Sequence, residues 1–219
     1  AFMTIHGTDS HIISLSPERF LHLDDEGTVI TQPIKGTIRR GNTPLEDEQL
    51  ALTLMQDGKN RAENIMIVDL LRNDLGKVCE TGSIHVDALC ELRSFSNVHH
   101  LVSTISGKLK PSLNGADLLQ ACFPGGSITG APKIRAMQII EETEHSRRSI
   151  YCGSIAYFST HGVMDSSILI RTLLHQHSTQ RPSLLYCWGG GGIVADSDNE
   201  TEYQESFTKI NSLLKALVQ

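Results

Sequence analysis

The chain has 219 residues, enough for one sizeable core, and carries a formal net charge of −6. Its 39% apolar and 20% charged residues are ordinary for a globular protein, while 5% aromatics and scattered basic residues argue against a nucleic-acid surface. No apolar run approaches a membrane span, no signal-peptide pattern opens the chain, and the five cysteines lie far apart without C-x-x-C. That usage argues against zinc and a disulfide framework and for reduced thiols in a cytosol-like compartment.

Residues 2–6 and 11–15 read as paired strands around a turn at Gly7–Ser10. Nothing precedes this hairpin, not even an initiator methionine, so the expectation is an N-terminally truncated piece of a longer chain. DDEGTVITQPIKGTI reads as turn, strand, turn. From Pro44 to Lys77 the pattern is helical in two segments, broken at Asp57–Asn60. The second, RAENIMIVDLLRNDLG, is apolar nearly all round and predicts a buried helix, or alternatively a buried strand, with Gly76 as its C-cap. GSIHVDALCELRSF alternates as a strand, and GADLLQACF is a short helix that stops at PGG. In SITGAPKIRAMQIIEETE, Pro132 suits a first helical turn, and Ile134, Met137 and Ile140 recur at helical spacing. YCGSIAYF, MDSSILIRTLL and SLLYCW are strand candidates, followed by the run Gly189 to Gly192 and a closing helix from about Asn199 to Leu217. Strands and helices mix without a regular βαβ beat. The expectation is therefore a single α+β domain over residues 1–219, a layered sandwich of antiparallel-rich sheets flanked by helices.

Tyr203, Phe207, Ile210, Leu214 and Leu217 form one apolar stripe of the closing helix. Glu202, Glu205 and Lys209 cluster within ~60° of one another, away from that stripe. They can bind a divalent cation such as Mg²⁺, or be a solvated face with Glu205–Lys209 as an i,i+4 pair. The GGGGIVADS loop permits close backbone approach to an anion, or is simply a sharp turn. FPGGSITGAPK, with Ser127 and Thr129, is an anion-facing junction or a capped helix start. His99 and His100 point opposite ways on a strand, so at most one faces a given site, and a core histidine is the commoner outcome. Arg171, alternating with Leu169 and Leu173, implies a buried carboxylate or, preferably, a substrate anion. Glu18 and Lys35 facing each other across a hairpin are an acid/base and nucleophile pair or a structural ion pair.

SPERF, PIKGT, RAENIMIVDLLRNDLG, VHHLVST, FPGGSITGAPKIRAMQIIEE, CGSIAYF, MDSSILIRTL and GGGIVADSDNETEYQESFTKI stand in the order found in chorismate-utilising enzymes. From Leu15 onward the chain resembles that family. Anthranilate-forming members carry alanine where Lys35 stands. The resemblance therefore implies amination of chorismate by ammonia to 4-amino-4-deoxychorismate, a precursor of the p-aminobenzoate unit of folate. Alternatives are anthranilate or isochorismate synthesis, a truncated module that only binds chorismate or a partner, or a Mg²⁺-dependent acid/base enzyme on another dicarboxylate.

The resemblance assigns Mg²⁺ to Glu63, Glu202 and Glu205, which would have to face each other across the site. It assigns substrate oxygens and a carboxylate to Ser127, Arg171 and the N–H groups of Gly190, Gly191 and Gly192. Lys209 and His100 are further pocket positions, His100 being counted with the catalytic groups. In the implied mechanism Lys35 attacks ring C2 while Glu18, as general acid, helps the 4-hydroxyl depart. Ammonia then adds at C4 and expels the lysine. Desolvation and the cations Arg39 and Arg40 are expected to make the lysine proton easy to lose. A glutamine amidotransferase is implied as ammonia source, with a homodimer admitted, a cytoplasmic location, and no nucleic-acid or membrane partner. The chain departs from the family pattern by one extra residue between Glu18 and Lys35, and by Trp188 and Gly189 before the glycines, where an indole is expected to narrow the pocket.

Overall fold

A computed structural model of the chain describes residues 1–178, 180, 182–195 and 197–217. Asp196, part of the GGGGIVADS loop, lies outside the described residues. The chain begins with strands β1 (Phe2–Ile5), β2 (Ser10–Ser14), β3 (Arg19–Leu23), β4 (Thr28–Thr31) and β5 (Ile34–Arg39). Helices α1 (Pro44–Gln56) and α2 (Gly58–Val78) precede the long strands β6 (His85–Ser94) and β7 (Val98–Lys108). Next come α3 (Gly115–Cys122), the single turn α4 (Gly126–Thr129) and α5 (Lys133–Thr143). β8 (Ser154–Phe158), β9 (Met164–Ile168), β10 (Thr172–Gln176), β11 (Leu184–Cys187) and α6 (Asn199–Ala216) complete it. Every ladder whose register is defined is antiparallel, the expected α+β pattern.

Two compact units emerge. The first comprises residues 1–17, 145–155 and 167–219. It carries the sheet β1-β2-β10-β11 and a small core of Ile12, Leu169 and Leu174, against which Ile150 and Trp188 pack. The second comprises residues 18–144 and 156–166. Its larger core includes Leu21, Ile67, Leu75, Leu101 and Ile105, each at most 1% exposed. Burying each such side chain contributes about 1.5–3 kcal/mol before entropy is counted.

The larger, seven-stranded sheet explains where Lys35 sits. One side of β7 is occupied by β6, and β4 and β5 lie end to end along the other. Thr31 pairs with Ile105 and Ile34 with Val102, so the register does not slip across Gln32 and Pro33. Proline lacks a donor, but its carbonyl still accepts from Ser103 N at 3.1 Å. Lys35 is therefore on a strand, not in the turn expected from its Pro and Gly neighbours. The ladder slips only between Lys35 and Thr37, at Gly36, whose φ of +82° is a conformation that glycine tolerates best.

Local signals account for the helix boundaries. Thr43 caps α1, Asp57 ends α1 and caps α2, and Asn114 with Asp117 forms a capping box on α3. Gly76, expected as a C-cap, lies inside α2, and Cys79 ends that helix with its N–H on Leu75 O. MDSSILIRTLL is not one strand but β9 and β10, with Leu169–Arg171 between them. The apolar stripes of α5 and α6 are also outward-facing: Ile134 is 76% and Tyr203 58% exposed, whereas Glu202 is 6% exposed. Glycine packing gives the reason in α6. A Cβ on Gly189 would lie 2.7 Å from Ser206 O and 3.2 Å from Ile210 Cγ2, and one on Gly191 3.1 Å from Glu202 Oε2, so the face that approaches the glycine run bears Glu202, Ser206 and, from the stripe, Ile210. No helix among the described residues is long and apolar enough to cross a membrane.

Candidate active site

In the second unit the side chain of Lys35 is 17% exposed, and its Nζ donates to Ser127 O at 3.2 Å. Glu63 Oε2, on a side chain 13% exposed, lies 3.8 Å from the same nitrogen. Three segments distant in sequence thus converge on one amine: β5 supplies Lys35, α2 supplies Glu63, and α4 supplies a carbonyl. Ser127 was expected to offer its hydroxyl and N–H; toward Lys35 it offers the carbonyl instead. Glu18 is 7% exposed and immediately precedes β3.

Strand alternation separates the two histidines. His100 is 5% exposed, with Nδ1 2.8 Å from Thr37 Oγ1 and its ring edge-on to Phe95. His99 is 2% exposed and turns to Ser94 Oγ at 2.7 Å and Asp47 Oδ1 at 2.9 Å. His99 is accordingly the core histidine. The two arginines behind Lys35 each meet a carboxylate. Arg39 pairs with Glu46 at 2.5 Å and Arg40 with Asp47 at 2.6 Å, both carboxylates lying on α1. Hydrogen bonds from Arg40, then from Gly41 N–H, hold the Asp47 carboxyl far below the usual carboxylate range.

A second set of expected residues gathers in the first unit around Gly191. A Cβ there would lie 3.1 Å from Glu202 Oε2, 3.8 Å from Lys209 Nζ and 4.0 Å from Glu205 Oε1. Only glycine leaves this charged cradle open. Lys209 donates to Gly190 O at 3.1 Å and pairs with Glu205 at 2.6 Å, the i,i+4 pair that sequence spacing offered as one reading. Ser197 Oγ donates to Glu202 Oε1 at 2.5 Å. A groove of about 290 Å³ is lined by Ile193, Ser197, Asn199, Glu202, Tyr203 and Ser206. Tyr151, unremarked in sequence, sets the floor of the glycine run: its hydroxyl lies 2.8 Å from where a Gly190 Cβ would be. Trp188 stacks between Tyr151 and Tyr186, at 6.2 and 5.8 Å. Arg171 is not on a strand face; it sits at φ +49° between β9 and β10, and its carbonyl accepts from Leu15 N at 3.1 Å.

Carboxylate oxygens suit magnesium, and the open space at Gly191 has Glu202 and Glu205 beside it, together with the Lys209 ammonium paired to Glu205. Among the described residues no three His, Cys, Asp or Glu side chains are gathered closely enough to hold a metal by themselves. Any ion there needs water or substrate oxygens as well, which is magnesium's habit.

The fold is shared with enzymes that act on chorismate. Residues 1–215 match the family described as chorismate binding enzyme, and the chain belongs to it. Aminodeoxychorismate synthase component 1 of Salmonella typhimurium is 54% identical over 99% of this chain and 46% of its own length. Chloroplastic aminodeoxychorismate synthase of Arabidopsis thaliana is 46% identical over 100% of this chain and 23% of its own length. Anthranilate synthase component I of Streptococcus pneumoniae superposes with a TM-score of 0.81 at 40% identity, covering 97% of this chain and 45% of that one. The chain spans less than half the length of each of these three relatives.

Proposed function

We propose that this chain is the lysine-bearing catalytic part of an enzyme that aminates chorismate to 4-amino-4-deoxychorismate, for p-aminobenzoate and folate synthesis. The observation that carries the reading is Lys35: a mostly buried amine held by one carbonyl and one carboxylate, at the position where anthranilate-forming relatives are expected to have alanine. In this mechanism Lys35 Nζ bonds to ring C2 while the bond from C4 to its hydroxyl breaks, and Glu18 gives the departing oxygen a proton. Ammonia then bonds to C4, the C2–N bond returns its electrons to Lys35, and Glu18 recovers a proton from the new ammonium. His100, Ser127, Arg171, Lys209 and the N–H groups of Gly190, Gly191 and Gly192 orient the substrate. Magnesium, when bound, neutralises a substrate carboxylate, and Glu63, Glu202 and Glu205 are the groups that would hold it. Ammonia comes from a glutamine amidotransferase partner, and the location is cytoplasmic.

Incubation with chorismate, Mg²⁺ and ammonium, with products identified by mass, tests the reading. Without ammonia, a covalent increment is expected on the peptide holding Lys35. Intact turnover by Lys35→Ala would sink the covalent role. A second reading, binding without turnover, is favoured by the outward apolar faces of α5 and α6. It is supported if chorismate raises the melting temperature and no product forms.

A further inference from the structure

Asn64, on α2 beside Glu63, is 0% exposed, and so is Ser103 on β7. The Ser103 hydroxyl donates to Asn64 Oδ1, and Asn64 Nδ2 donates to Leu101 O at 3.4 Å. Ser103 Oγ in turn accepts from Cys90 N at 2.9 Å. Cys90 sits at φ +51° where the β6–β7 register slips, and its Sγ reaches Arg61 O at 3.9 Å, one turn before Asn64. The β7 residues gripped in this way lie where the lysine strand is held: Leu101 is the register partner of Lys35, and Ser103 N donates to Pro33 O at 3.1 Å.

We infer that the Asn64–Ser103–Cys90 chain is a positioning clamp that sets the spacing between Glu63 and Lys35, with Asn64 and Ser103 as positioning residues. The amide suits the task because it accepts from Ser103 and donates to Leu101 at once, which neither a carboxylate nor an aliphatic side chain does. A polar link at zero exposure is also rigid, since every alternative arrangement leaves a buried donor or acceptor unmet. A core site needing only volume would be filled by leucine. This inference rests on the reading of Lys35 as the nucleophile, and its test is arranged so that the two fail separately.

The variants are Ser103→Ala, which deletes one hydroxyl and little volume, Ser103→Thr, which keeps the hydroxyl, and Asn64→Leu. Two quantities are measured on protein shown to be folded by circular dichroism. One is steady-state turnover of chorismate with ammonium. The other is the rate at which trinitrobenzenesulfonate labels the Lys35 peptide in metal-free protein, read by mass. Ser103→Ala and Asn64→Leu are expected to lower kcat about 10–100-fold, the scale of a misplacement near 1 Å, with KM changed less than about threefold. Both are expected to alter the Lys35 labelling rate at least about threefold, and Ser103→Thr to restore both quantities toward wild type. If wild type turns nothing over, the functional reading fails and the labelling arm still judges the clamp. Should Asn64→Leu not fold, Ser103→Ala decides. A folded Ser103→Ala with wild-type labelling and wild-type kcat overturns the inference.

Discussion

Replacing Gly36 by alanine tests the seat of the lysine strand. At φ +82° an L side chain costs about 1–2 kcal/mol in backbone strain. The new Cβ would also lie 2.9 Å from Leu54 Cδ1 and 3.1 Å from Asn60 Cγ, on the two helices that pack over the bulge. Overpacking of that kind costs about 1–3 kcal/mol, giving roughly 2–5 kcal/mol in all. In a chain of this size that lowers Tm by roughly 5–15 °C. Two other glycines separate the contributions. Gly82 has φ +81° with nothing within 4 Å, so Gly82→Ala carries strain alone, about 1–2 kcal/mol. Gly76 lies inside α2, also with nothing within 4 Å, so Gly76→Ala is expected to stabilise by about 0.5–1 kcal/mol. Thermal unfolding followed by circular dichroism at 222 nm, a standard helix wavelength, orders the three. If Gly36→Ala loses no more than Gly82→Ala, the contacts with Leu54 and Asn60 do not constrain the bulge and the reasoning fails.

The buried Asp74 carboxylate, 1% exposed, is held by Lys133 at 2.5 Å and Lys77 at 2.8 Å. Lys133→Met is expected to cost about 3 kcal/mol by urea denaturation, and Asp74→Leu combined with it less than the two single losses added; strict additivity would refute the pairing. Because Arg40 depresses the Asp47 carboxyl, the stability it contributes is complete above about pH 5 and drains away as the pH falls through the acid range. The Tm gap between wild type and Asp47→Asn should therefore shrink on acidification, and a gap independent of pH contradicts the assignment. Burial pushes Cys122 up to about 12 and Cys79 up to about 11, and of the five cysteines four are buried while Cys187 is partly exposed. Native protein should thus yield at most one thiol, slowly, to Ellman's reagent, against five after unfolding; rapid release of two or more would count against the packing.

Elements that rest on local periodicity were legible before any coordinates: the β1–β2 hairpin, the break at Asp57, the end of α3 and the span of α6. Each depends on residues within a few positions of one another. Lys35 was misread as a turn residue for the opposite reason. Pro33 and Gly36 carry turn signals, yet the conformation of this stretch is imposed by β7, more than sixty residues away, along which β4 and β5 form one edge. Arg171 failed similarly, because alternation in SILIRTLL continues across the break at Leu169–Arg171 between β9 and β10, which the apolar pattern does not mark. The stripe of α6 reported which face is apolar and nothing about which face is covered; Gly189 and Gly191 decide that, by admitting Ser206 and Glu202 to close approach.

The candidate site divides along the same line. Lys35 stands out in sequence because Pro33 and Gly36 surround a charge whose desolvation needs a reason, Glu202 and Glu205 stand out by sharing one side of a helix, and Glu63 enters through the resemblance. The groups that hold them still do not stand out. In RAEN the glutamate attracts attention and the asparagine reads as helix filler, yet Asn64 is 0% exposed while the Glu63 side chain keeps 13% of its surface. An amide shows no periodicity, no charge and no capping position, and its partners are thirty-seven and thirty-nine residues distant. Its significance arises only when α2 meets β7. Chemistry was visible residue by residue, whereas the geometry that aims it is written in pairs of distant residues, which a single sequence does not couple.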